Sequence, residues 1–366
     1  MAQPVAMPAR REARWSGTVT SLEQVTAQID RLTGELAAGE DREPHGVPRT
    51  CCLDLIVRVA DDDRRVREIG DTIERIAPSH PLRAVVVRTR EGARGIDAVV
   101  LCETCGRGVH RQEVVLTMPP AATARLADEV STALVPGVPV YVWSLLPPDL
   151  TDPEAVDALS RIDALIVDSA TLPDPLTVAR DMRRFATRGA AAVGDLSWAR
   201  IRRWREALAG FFAPADRREL LVRIDEVDVE HGAGPSGTMA GALVAGWKAS
   251  RLGYELDGVE SAGEGATARY RKAGGRRVRV ALAAAGDDDG LRSIAVRGAG
   301  FEVGVRVESP DSARLRFDVR GRTVTQHLRW ERQSDAELLC DLLVEATHDV
   351  VYPAALGAAV DLLEAR

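Results

Sequence analysis

Apolar residues recur at helical spacing early in the chain: Leu22, Val25, Ile29 and Leu32 follow Ser21 and predict a first amphipathic helix ending near Gly34 or Gly39. A polar segment with two prolines, residues 41–48, reads as a loop. Residues 49–57 then read as a strand. Residues 61–77 form a helix with Val66, Ile69, Ile73 and Ile76 on one face, and residues 82–88 a second, continuously apolar strand. This strand-helix-strand unit predicts a parallel pair joined by a crossover helix. Strands over 96–101 and 109–118, a helix over 121–134, and strands over 136–143 and 162–167 continue the alternation. A helix over 172–187, a strand over 220–229 and a helix over 239–252 complete it.

After about residue 258 the texture changes. Alternating apolar and polar positions predict strands over 267–272, 277–283, 291–297, 301–308, 313–319 and 323–330, joined by short glycine-bearing turns. That spacing is an antiparallel meander, and two helices over 335–347 and 352–364 are expected to close one of its faces. The expected fold is an α/β N-terminal domain with a mixed, largely parallel sheet, then an α+β C-terminal domain with an antiparallel meander and closing helices. Its boundaries are a disordered lead over 1–17, the α/β domain over 18–258 and the C-terminal domain over 259–366. The glycine-bearing segment 256–265 is the expected junction.

The chain is poor in aromatics, and two of its six tryptophans fall within residues 194–212. Asp195, after a glycine, is a natural N-cap. On one continuous helix, Leu196, Ile201, Trp204, Ala207, Leu208, Phe211 and Phe212 share an arc facing a core. Trp198, Arg202 and Arg205 fall on the opposite arc. An indole beside guanidiniums on a solvent face is the composition of a partner-binding surface, and these three are the candidate contact residues. Arg200 projects into the apolar arc, where its guanidinium needs a carboxylate or several carbonyls.

Composition narrows the function classes. A formal net charge of −7 argues against nucleic acid as partner. No window approaches the roughly 20 apolar residues of a membrane span, and the arginine-rich first residues lack the apolar core of a secretory signal. Five cysteines, an odd number, fit a reducing cytoplasm better than a disulfide framework.

Cys102-x-x-Cys105 with His110 is the sharpest local constellation. Two thiolates at this spacing can bite a zinc from one turn, but a closed site needs four ligands. The pair can also read as a redox-responsive dithiol, and otherwise as ordinary cysteines at a hairpin end. No resident metal or cofactor is expected. Residues 232–238 have the rhythm of a phosphate loop without its lysine, and read as a flexible connection. Asp168 and Ser169 end a strand, the place where open α/β sheets put ligand-binding groups. They leave room for an enzyme or binding protein acting on a sugar phosphate or nucleotide. With no base, nucleophile or metal partner in view they read as structural, with Arg200 as their candidate ion-pair partner.

The stretch Gly-Asp-Leu-Ser-Trp-Ala-Arg-Ile-Arg-Arg-Trp-Arg-Glu from Gly194 resembles the signature of the glucose-6-phosphate dehydrogenase assembly protein OpcA family, usually Gly-Asp-Leu-Asn-Trp-Ala-Arg-Leu-Thr-Pro-Trp-Arg-Glu. Ser197 and Arg202-Arg203 are departures, and the family's Thr-Pro would begin a fresh helix there. Similarity extends to His80-Pro81, to Ile166-Val167-Asp168-Ser169, to the last helix after Asp349, and to Ala245-Gly246-Trp247 through Gly253-Tyr254, where Lys248 and Tyr254 depart. The resemblance implies a non-enzymatic cytoplasmic partner of glucose-6-phosphate dehydrogenase in the oxidative pentose phosphate pathway. Such a partner promotes the active oligomer or raises substrate affinity.

Overall fold

The structure, a computed structural model, describes residues 11–38, 51–105, 108–119, 133–148, 150–189, 191–263, 265–272, 274–286 and 290–366. Its strands are β1 (Arg11–Val19), β2 (Leu53–Ala60), β3 (Leu82–Thr89), β4 (Ile96–Cys105), β5 (Gly108–Met118), β6 (Val140–Ser144), β7 (Ala164–Val167), β8 (Ala192–Asp195), β9 (Ile224–His231) and β10 (Glu255–Ala262). There follow β11 (Gly265–Arg271), β12 (Arg277–Ala284), β13 (Leu291–Gly298), β14 (Phe301–Ser309), β15 (Ser312–Val319) and β16 (Arg322–Arg329). The helices are α1 (Leu22–Ala38), α2 (Asp63–Ile76), α3 (Pro153–Leu159), α4 (Pro175–Arg188), α5 (Leu196–Arg200), α6 (Arg202–Phe212), α7 (Ala215–Arg218), α8 (Pro235–Leu252), α9 (Asp335–Glu345) and α10 (Tyr352–Glu364).

The chain divides into two compact units. The first comprises Met1–Val167, Gly189–Val193 and Asp335–Thr347; the second comprises Asp168–Arg188, Gly194–Ser334 and His348–Arg366.

The first unit is built on a sheet of order β1-β4-β5-β3-β2-β6-β7-β8. The pairs β5-β3, β3-β2, β2-β6 and β6-β7 are parallel, and β1-β4 and β4-β5 antiparallel. The parallel strands carry near-continuous apolar runs, buried throughout in β3 from Leu82 to Val87, as burial on both sheet faces requires. Asp62 caps α2 by accepting the backbone N–H of Arg64 at 2.9 Å, and Ile69, Ile73 and Ile76 are buried. The alternating Arg11–Val19 segment pairs with β4 as an edge strand, correcting the disordered lead expected there. Its partner is distant in sequence, which local periodicity cannot register. Residues 1–10 and most of the helix expected over 121–134 lie outside the described residues.

Asp54 in β2 has no solvent access. Its Oδ2 accepts the Val135 N–H at 2.7 Å, while Oδ1 has no partner among the described residues. Burial drives its pKa up to about 6, opposed by that N–H and by Arg83. A folded pKa above the unfolded one means that the folded chain binds this proton more tightly. The group therefore costs nothing below the unfolded pKa, and its penalty grows as pH rises through about 6. Asp54→Asn is expected to be stabilised relative to wild type by up to about 3 kcal/mol near neutral pH, with the difference vanishing near pH 4. Urea denaturation of both proteins across that range measures it.

The second unit holds an eight-stranded sheet of order β10-β11-β12-β9-β13-β14-β15-β16. All neighbours are antiparallel except β12-β9, which is parallel. The expected strands all form, but β9, from before residue 258, separates β12 from β13 in what read as a simple meander. The expected boundary at 258/259 falls inside β10, which is hydrogen-bonded to β11 within this unit. Of the two closing helices only α10 belongs here; α9 packs against α2 in the first unit. Helix α8 lies on the sheet beside α10, with Gly246 against the α10 backbone.

Candidate functional site

The residues from Asp195 to Phe212 form two helices. Asp195 caps α5 through the Ser197 N–H at 2.8 Å, and the backbone turns at Ile201 (φ −88°, ψ 4°) before α6 begins. The break falls beside Arg202-Arg203, where the family pattern has Thr-Pro. It overturns the single-helix wheel. Trp204, Leu208, Phe211 and Phe212 are buried on one side of α6, as expected. Trp198, however, is 2% exposed and belongs to a helix buried from Leu196 to Ala199. The indole expected on a solvent arc is a core group.

Around it, side chains of the second unit form one polar network. Arg200 grips Asp168 with two parallel bonds of 2.7 Å, the fork geometry that compensates a buried carboxylate. Ser197 Oγ donates to Asp168 at 3.1 Å and accepts from Ser169 Oγ and the Ala170 N–H, each at 3.2 Å. Asp195 Oδ1 also accepts the Ser169 N–H at 3.1 Å, and its Oδ2 accepts the Tyr352 hydroxyl at 3.1 Å. Burial, and then the neighbouring charge of Asp168, raises the pKa of Asp195. Burial and Asp195 likewise hold the Tyr352 phenol well above its ordinary range, so it remains a donor.

Trp198 joins this network to the start of α10. Its indole N–H donates to Asp349 Oδ2 at 2.7 Å, and its ring lies 5.6 Å from that of Tyr352. Asp349 Oδ1 accepts the N–H groups of Val351 and Tyr352 at 2.8 and 2.9 Å, tying down the first turn of α10. The Arg205 guanidinium carbon stands 3.6 Å from the Trp198 ring centroid, a close cation–π contact. Arg202 and Arg205 are both half-buried.

The carboxylate expected for Arg200 is therefore Asp168, and the signature stretch does meet the strand-end pair. Sequence reasoning missed Asp349 and Tyr352. An aspartate shortly before Tyr-Pro at a helix start is a capping signal, which marks Asp349 as the cap of α10 but does not reveal Trp198 as its partner.

Cys102 lies apart from this network, in the first unit. It is buried on β4, its sulfur 3.9 Å from Thr33 Oγ1 of α1. Cys105 pairs with Gly108 across the β4–β5 hairpin, and His110 lies on β5. The side chains of Cys105 and His110 lie outside the described residues, so the dithiol and zinc readings stand as expectations. Lys248 is buried in α8 with its ammonium 4.4 Å from the Trp247 ring centroid and 5.3 Å from that of Phe212; burial lowers its pKa to about 8. Its aliphatic stem occupies the core position where the family pattern has leucine. Among the described residues no helix is long and apolar enough to cross a membrane.

A largely parallel α/β sheet and a large, largely antiparallel sheet define a two-unit protein of the α/β and α+β type. A solved mutant of KijD10, a 3-ketoreductase from Actinomadura kijaniata in complex with TDP-benzene and NADP, is 12% identical, with a TM-score of 0.50 over 86% of this chain and 96% of that one. At that identity the likeness is one of fold alone.

Residues 73–184 match the family described as glucose-6-phosphate dehydrogenase subunit N-terminal domain, and residues 191–356 its C-terminal counterpart. The chain belongs to the OpcA family. A Synechocystis protein bearing the name OxPP cycle protein OpcA is 28% identical over 192 residues, 50% of this chain and 39% of that protein. The protein so named in Synechococcus elongatus is 30% identical over 190 residues, 49% of this chain and 41% of its own length. The chain thus spans about two fifths of the length of these curated relatives.

Proposed function

We propose that this chain is a non-enzymatic assembly factor and activator of glucose-6-phosphate dehydrogenase, acting in the cytoplasm on the oxidative pentose phosphate pathway. The observation that carries the reading is the match to both family domains in order, 73–184 and then 191–356. The site is compatible with it. The carboxylates and hydroxyls of Asp168, Ser169, Asp195, Ser197 and Tyr352 hydrogen-bond one another, the backbone or Arg200, which suits a rigid support for a docking surface. Within it Trp198 is the platform, and Arg205, stacked on that platform, and Arg202 are the groups offered to the dehydrogenase. A partner that binds the active form of the enzyme better than the inactive one stabilises it by that affinity difference and no more.

Adding this protein to the purified dehydrogenase of the same cell is expected to raise activity most at low glucose 6-phosphate, where substrate affinity limits the rate. Arg205→Ala is expected to weaken activation with the fold intact. Unchanged kinetics at every substrate concentration, together with no complex on a sizing column, would refute the proposal. Turnover of a sugar phosphate or nucleotide by this chain alone would replace it with the enzyme reading.

A further inference from the structure

Six strands of the first sheet stand in the order β5-β3-β2-β6-β7-β8. Counted along the chain from β2, and leaving out the antiparallel β4, that is the 3-2-1-4-5-6 order of the doubly wound fold, which takes a dinucleotide in the crevice where the strand order reverses. Here the order reverses at β2, between β3 on one side and β6 on the other. The fold's phosphate chemistry is specific. Glycines let the first strand-to-helix turn approach the pyrophosphate, the helix N-terminus binds it, and an arginine nearby receives the 2′-phosphate of NADP.

The residues present do not fit that ligand. The turn from β2 into α2, residues 60–65, reads Ala-Asp-Asp-Asp-Arg-Arg and contains no glycine. The Asp61 N–H donates to the Thr89 carbonyl at 3.0 Å, and the Asp62 N–H to the Ala60 carbonyl at 2.8 Å. At the start of α2, Asp62 Oδ1 accepts the Arg64 N–H at 2.9 Å and, more weakly, that of Arg65 at 3.5 Å. A carboxylate thus lies at the helix N-terminus where the pyrophosphate would. The arginines at the end of β3 hold the other carboxylate of the turn: Arg90 Nε donates to Asp61 Oδ2 at 2.6 Å, and Arg88 to Asp61 Oδ1. The Arg90 hydrogen bond, with the charges of both arginines, keeps the Asp61 carboxyl below its usual range. On the other side of the crevice the Leu145 N–H donates to the Arg58 carbonyl at 2.9 Å, and Arg65 Nη1 to the Leu145 carbonyl at 3.3 Å. The chain leaving β6 is thereby tied to β2 and α2.

We infer that Asp61 and Asp62 stand in for the two phosphate positions of a dinucleotide and close this crevice to NAD and NADP. Asp62 answers the helix N-terminus, and Asp61 answers the arginine pair. An incoming phosphate must displace a carboxylate already at hydrogen-bonding distance, and it meets that carboxylate's like charge as it does so. The first unit keeps the dinucleotide architecture with its phosphate sites satisfied from within, so it serves as scaffold. This holds whether or not the chain activates the dehydrogenase.

Isothermal titration calorimetry of the full chain with NAD and with NADP tests it. The wild-type chain is expected to show no saturable binding up to roughly millimolar ligand. Asp62→Gly unblocks the start of α2, where glycine is an accepted cap, and is expected to tighten both ligands at least about tenfold. Asp61→Asn removes the charge between Arg88 and Arg90. It is expected to tighten NADP at least about tenfold and to leave NAD unchanged, because only NADP carries the 2′-phosphate. A wild-type chain that binds either dinucleotide at micromolar concentration overturns the inference. A doubly substituted chain that keeps the wild-type circular dichroism spectrum and gains no affinity for NADP overturns it as well.

Discussion

Trp198→Ala is expected to destabilise the protein by about 3–5 kcal/mol, the range for losing a buried aromatic ring. The ring is buried between Tyr352 and the Arg205 guanidinium, and its N–H holds Asp349. Removing it opens a cavity and strips one hydrogen bond from a carboxylate that also caps α10. Trp198→Phe keeps most of the apolar volume and loses the N–H, so it should fall between wild type and alanine. Urea denaturation of the three proteins measures the series. A melting point unchanged in Trp198→Ala would mean that the network contributes no stability. The amphipathic wheel drawn through residues 194–212 leads to the opposite expectation, a solvent-facing indole whose loss spares the fold. The two helices on either side of Ile201 reverse it.

Gly246→Ala is expected to cost about 3 kcal/mol, at the upper end of the range for overpacking a core. The first atom of any side chain there would stand 2.2 Å from the Ala355 carbonyl oxygen and 2.7 Å from the Ala359 nitrogen. Both are α10 backbone atoms that no rotamer change can move, so α8 and α10 must separate. Gly210, in α6, supplies the control. A Cβ there meets nothing within 4 Å, so Gly210→Ala should stabilise by about 0.5–1 kcal/mol through helix propensity alone. Thermal melts of both variants decide it. Equal effects would mean that the close approach of α8 and α10 is not maintained in solution.

Much of the fold was legible because periodicity is a local signal. The apolar face of α2, the buried run of β3 and the alternation through β11 to β15 each follow from which neighbours in sequence must share a face. Asp195 as a cap and Arg200 as a guanidinium in need of a carboxylate were legible for a related reason. A free helix N-terminus and a buried charge each demand a partner wherever the chain goes next. The resemblance carried by Gly194–Glu206 pointed to the family that both domain matches establish.

Pairing over long range was not legible. β1 has too little apolar content to read as ordered, and it takes its place from β4, across more than 70 residues of chain. β9 enters the middle of the second sheet because its edges meet β12 and β13, and nothing local to residues 224–231 encodes that position. The placing of Trp198 turned on one backbone conformation at Ile201, which rotates everything after it relative to everything before. Sequence determined the elements, their caps and the demand of Arg200 for a carboxylate, because each is settled within a few residues. Tertiary structure decided that Asp168 answers the demand, that Asp349 and Tyr352 complete the network, and that Trp198 lies beneath Arg205. Those contacts join segments up to 157 residues apart, and only the folded chain brings them within hydrogen-bonding reach.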